Sequence, residues 1–139
     1  MVDMTYHEPI KGPGAERRDE LGNFASYRKQ PHRGSDWGFT GGSKGKPIYA
    51  IRSGVVAKVF NDPALGFSAI IRSFNDEVFI EYNHMESASP LKRGDKVEGG
   101  ITVIGHIGAT GSALSASGAN HLHASAAKAP VPHNASRAI

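Results

Sequence analysis

The chain has 139 residues, 16 Lys and Arg against 13 Asp and Glu, seven His and no Cys. That length is one domain, able to bury about two-thirds of the surface its unfolded chain would expose. Disulfides and thiolate metal sites are excluded, and the scattered +3 charge lacks the dense basic stripe with interleaved aromatics that nucleic acid requires, so it reads as solubility or weak attraction to an anionic polymer.

Residues 1–23 are polar and punctuated by Pro9, Gly12, Pro13 and Gly14, and read as an irregular lead-in with one helical turn around Ala15 to Leu21. They contain no apolar run, and no stretch of the chain reaches the length of a membrane span, so neither a signal peptide nor a membrane anchor is visible. The domain proper is placed at 24–127, opening with Phe24, Tyr27 and Arg28. His32 and Asp36 follow, four apart with Gly34 between them, and a turn at that glycine can bring both side chains to one point. An imidazole and a carboxylate suit zinc, and one further histidine would complete three ligands and an open position. As a lone motif the pair is equally a solvated loop.

Gly38 to Gly45 reads as a glycine-rich loop without the Lys-Ser/Thr ending of a phosphate-binding loop. Short β-branched and aromatic segments then predict strands over 47–51, 55–60, 67–72, 78–82 and 101–107, each bounded by Gly, Pro, Asn or Asp. Turns are expected at Asn61-Asp62-Pro63 and Asn75-Asp76, a tight link at Ser53-Gly54, and one helical turn over Glu86 to Leu91. No segment sustains a helical period, so the expected class is all-β, antiparallel and small, sheet-on-sheet or barrel-like. His84 falls at the end of the 78–82 strand, where it is either a solvated residue or part of a site rim. His106 alternates with apolar neighbours and should face water; it, His7 and His133 receive no role.

His121-Leu122-His123 sits among small residues and reads as a strand. Both imidazoles then leave one face, roughly 6.6 Å apart along the axis, while Leu122 turns to the other. The spacing leaves three possibilities open: two metal ligands, one ligand beside a proton carrier, or two surface histidines. Residues 128–139 read as a tail or linker.

Taken in order, His32-x-x-x-Asp36, Pro47-Ile48-Tyr49-Ala50, Gly54-Val55-Val56, Tyr82-Asn83-His84-Met85, Gly94-Asp95-Lys96-Val97, Ile104-Gly105, Gly108-Ala109-Thr110-Gly111 and His121-Leu122-His123 resemble the lysostaphin-type (LytM-like) zinc peptidases. The resemblance spans 24–127. It implies a small antiparallel β-fold with a substrate groove, and a zinc endopeptidase that cuts peptide bonds in bacterial peptidoglycan cross-links. It makes His32, Asp36 and His123 the ligands of one Zn2+ per chain, and His121 and His84 the catalytic histidines. The family often continues after the second histidine of the last motif with Phe-Glu, where this chain has Ala124-Ser125, and Gly99 to Val103 runs two residues longer than the common form. The glutamate base of His-Glu-x-x-His enzymes is absent, which leaves proton transfer to histidine, and no pair of carboxylates of the kind that cleaves glycans is evident beside the histidines. The expected partner is peptidoglycan peptide and the expected state a monomer. With no inhibitory pro-segment visible, the domain is expected to be made active, as a phage lysin acting on the wall after release or as an excised domain of an exported enzyme. Two other readings stand beside it: a non-catalytic wall-binding or hydrolase-activating module of the same fold, and a zinc hydrolase of a small substrate with His32, Asp36, His121 and His123 all on the metal.

Overall fold

The computed structural model describes residues 4–19, 35–74, 78–111 and 120–127. Among these residues the regular structure is β apart from a single 3-10 position at Gly111, and no helix is long and apolar enough to cross a membrane. The strands are β1 (Ala15–Asp19), β2 (Ser35–Phe39), β3 (Pro47–Tyr49), β4 (Gly54–Asp62), β5 (Gly66–Ser73), β6 (Phe79–Met85), β7 (Lys96–Val97), β8 (Val103–His106) and β9 (Leu122–Ala127). Seven form one antiparallel sheet in the order β1-β2-β9-β6-β5-β4-β7, and β3 with β8 forms a separate two-stranded ribbon.

The alternation of each strand decides which face is core. Tyr82 and Ile80 on β6 stand opposite Ala69 and Ile71 on β5, and Leu122 and Ala124 on β9 share that side. All are buried, and they join Val56, Trp37, Phe39 and the ribbon residues Ile48 and Ile104 in one cluster. The fully buried Tyr82 hydroxyl accepts the Ile51 amide at 2.8 Å, which ties the sheet to the segment following the ribbon strand β3. Leu122 points into this core, so the residues on either side of it, His121 and His123, are turned to the opposite face.

The turn expected at Asn61-Asp62-Pro63 lies at 63–65, where it joins β4 to β5, with the Asp62 carboxylate at the end of β4 accepting the Ala64 and Leu65 amides at 2.8 and 3.0 Å. Several local expectations are corrected. Ala15–Asp19, expected in a helical turn, is a strand on the edge of the large sheet, where Glu16 and Arg17 are exposed as suits a solvated edge and the backbone pairs with β2. Residues 4–14 carry no strand or helix, yet they pack on the domain: His7 donates its amide to Ile51, Tyr49 donates to Pro9, and Ile10 is buried in the core. Glu86 to Leu91 contains no helical turn; Ser89, buried, caps the segment by donating to the Ile104 carbonyl at 2.6 Å and accepting the Leu91 amide. Gly38 and Phe39, expected in the glycine-rich loop, are the end of β2. Asn75-Asp76 and the tail lie outside the described residues.

Candidate metal and catalytic site

β2, β9 and β6 lie side by side, and their register places three chemically active residues in one row across the sheet. Asp36 is the partner of His123, and His123 is the partner of Asn83. Cross-strand partners leave the same face, so Asp36, His123 and Asn83 share the face opposite the core, with His121 two residues from His123.

His84 would break this arrangement if β6 alternated regularly, because it follows the groove-facing Asn83 and would turn to the core. It does not. Between the pairs Tyr82↔Ala69 and Met85↔Phe67, β6 has two residues, Asn83 and His84, where β5 has one, Ser68. This is a β-bulge, and His84 in it has φ +60°, the one non-glycine residue with positive φ among those described. The bulge re-aims the imidazole: its ring centre lies 5.0 Å from that of His121 and 6.3 Å from that of His123. Four functional side chains from three adjacent strands thus meet on one face.

His123 Nδ1 lies 3.0 Å from Asp36 Oδ1, and His121 Nε2 stands 3.8 Å from the same oxygen. These side chains are 18%, 18% and 17% exposed for His121, His123 and Asp36, so the site is sheltered yet open to solvent on one side. A carboxylate only accepts, so the proton between Asp36 and His123 sits on Nδ1, and a cation could replace it. Two donors on a tetrahedral zinc stand roughly 3.3 Å apart, given bonds of about 2.0–2.1 Å, and the Asp36–His123 separation of 3.0 Å is close to that figure. The donor set therefore fits a borderline divalent metal. Among the described residues no three His, Asp or Glu groups close around an ion; His32, which the resemblance makes the third ligand, lies outside them.

His84 is buried, and its Nδ1 lies 2.8 Å from the Thr110 carbonyl oxygen. A carbonyl accepts, which places the ring proton on Nδ1 and leaves Nε2 with a lone pair. Burial, and then the neighbouring His121, push the His84 pKa from 6.5 down to about 4, so the ring is neutral at pH 7 and can receive a proton.

The sequence puts His84 just past the end of a strand, whereas it lies within β6, on the bulge. Asp19 is the backbone register partner of Asp36, a neighbour that sequence reasoning misses because β1 has the composition of a helical turn. His106 is exposed, as expected, at the end of the ribbon strand β8.

The family model for peptidase family M23 matches residues 30–135. A search of curated proteins finds no match to the sequence. Among solved structures, the chain is similar to the catalytic domain of a mutant of the prophage-encoded M23 protein EnpA from Enterococcus faecalis. That match has 27% identity and a TM-score of 0.68, over 86% of this chain and 85% of that one. The catalytic domain of the antimicrobial peptidase lysostaphin from Staphylococcus simulans matches at 23% identity and TM-score 0.72, over 88% and 86%. A zinc-containing peptidase from Vibrio cholerae matches at 25% identity and TM-score 0.69, over 95% of this chain and 40% of that one.

Proposed function

The chain belongs to peptidase family M23, and from that premise we propose that it is a zinc-dependent endopeptidase acting on the peptide cross-links of bacterial peptidoglycan. The observation that carries this reading is the pairing of Asp36 with His123, with His121 two residues along on the same face and His84 brought beside them by the bulge. In it Asp36 and His123 hold the metal together with His32, while His121 and His84 handle protons. The zinc-containing relative and the prophage-encoded M23 relative point the same way for metal and for biological setting.

Zinc bound there would supply Lewis acidity to the scissile carbonyl and to the attacking water. The chain's own residues then divide the remaining work. His84, neutral and held with Nδ1 protonated, presents Nε2 to take a proton from the water and to return it to the leaving amine. His121, beside it, is placed to steady negative charge growing on the carbonyl oxygen. Asn83, Glu81 and Ser125, on the same side of β6 and β9, are buried and form a polar layer beside the histidines.

Purified sacculi treated with the protein test the reading. New amino groups should appear, chelator should abolish their release, and added zinc should restore it. New reducing sugar ends without amines, or release indifferent to chelation, would refute the assignment. Zinc binding without any hydrolysis would favour a wall-binding module.

A further inference from the structure

We propose that Thr110 is the positioning residue for His84, and that its hydroxyl locks the loop whose carbonyl fixes the imidazole tautomer. The proposal rests on the reading of His84 as a proton carrier. The Thr110 backbone carbonyl faces His84 Nδ1 at 2.8 Å, while the Thr110 hydroxyl donates to the Met85 carbonyl at 2.7 Å and accepts the Phe67 amide at 3.0 Å. Met85 and Phe67 are the register pair that closes the bulge. One side chain therefore takes the place of a ladder hydrogen bond at the point where β6 departs from its alternation.

The surrounding backbone leaves the loop little room to move. A Cβ on Gly66 would lie 2.1 Å from the Thr110 hydroxyl oxygen, and one on Gly111 would lie 2.3 Å from the Gly66 amide nitrogen, so the 108–111 segment lies flat against the start of β5. The His84 amide donates to Leu65 at 2.8 Å and its carbonyl accepts Gly108 at 3.0 Å. Those two bonds hold the backbone of the bulge. Neither reaches the ring, whose orientation is set by the Thr110 carbonyl. Releasing the hydroxyl would let that carbonyl drift and let the imidazole exchange tautomers, which moves the proton onto the nitrogen that must be free.

The test compares T110V and T110A, which lack the hydroxyl, with T110S, which keeps it, in zinc-loaded protein. Turnover on cross-linked peptide is measured together with the imidazole 15N shifts of His84. T110S should match wild type. T110V and T110A should lose roughly tenfold to a hundredfold in kcat with KM within roughly twofold, part of the value of a proton carrier, and the His84 shifts should move from a single Nδ1–H tautomer to an average. Wild-type kcat with the single tautomer kept, a fall in kcat with the tautomer unchanged, or T110S as impaired as T110V would each overturn the proposal. So would a hydroxyl needed only for folding, seen as T110V and T110A both unfolded beside a native T110S. If wild type cuts no peptide, the proposed activity fails, and the tautomer comparison alone then decides the role of Thr110.

Discussion

His84 makes stability depend on pH in a way that can be worked through. Its pKa is about 4 in the fold, against 6.5 for a free imidazole, because the ring is buried and lies beside His121. The unfolded chain therefore takes up a proton before the folded one does. The stability tied to neutral His84 is complete above pH 6.5, declines as pH falls, and is gone below pH 4. Between pH 7 and pH 5 the two titrations differ by about 2 kcal/mol for this residue alone, on the scale of 1.36 kcal/mol per pKa unit. Other groups titrate over the same range, so the comparison needs a variant. His84→Asn removes the ionisation and tolerates the positive φ of +60°. Urea unfolding in excess chelator, which removes any contribution of bound metal, should show wild type losing about 2 kcal/mol more than His84→Asn between the two pH values. In thermal scans this is a difference of roughly 5 to 10 °C. Parallel pH dependences for the two proteins would refute the reasoning, and with it the claim that the ring is held neutral by burial.

Replacing Asp36 or His123 with Ala should empty the zinc site by elemental analysis, whereas His121→Ala and His84→Ala should keep the metal and lower turnover by about two to four decades. If His121→Ala also lost zinc, the four-ligand arrangement would take precedence. Tyr82→Phe should cost about 1–3 kcal/mol in denaturant unfolding with little change in the denaturant slope, since it leaves the Ile51 amide without its buried acceptor. Gly108→Ala should be costlier than Gly105→Ala: the new Cβ at 108 would lie 2.4 Å from the Glu86 backbone, whereas at 105 it meets the Met85 sulfur, the movable end of a side chain. Overpacking of this kind costs about 1–3 kcal/mol, and equal losses at both positions would contradict the distinction.

The strands carrying alternating β-branched residues are legible from the order of residues. The 55–60 and 67–72 expectations fall inside β4 and β5, because Val55, Val56, Val59, Ile70 and Ile71 mark them and the turn signal ending in Pro63 marks the connection, although Asn61 and Asp62 still belong to β4. The common face of His121 and His123 is legible for the same reason, as a period of two is a property of any strand. β1 is not: Ala-Glu-Arg-Arg-Asp has the composition of a helical turn, and an edge strand exposed to water carries no apolar signal to contradict it. β2 is obscured by Gly38, which speaks for a loop unless a partner strand is known. The arrival of His84 on the groove face is expected from the resemblance alone and does not follow from strand alternation. It depends on one extra residue in the β6 register and on a positive φ at a non-glycine position, and neither leaves a mark in the amino-acid pattern.

β9 comes last among the described strands yet lies in the middle of the large sheet, between β2 and β6. During translation Asp36 and His84 are made well before residues 121–127, and until those residues arrive β2 and β6 have no strand to join them. The four site residues cannot meet in any shorter nascent chain, because the strand that bears His123 is also the one that brings its neighbours together. Synthesis therefore delays the assembly of the site until β9 has emerged and can pair with both β2 and β6.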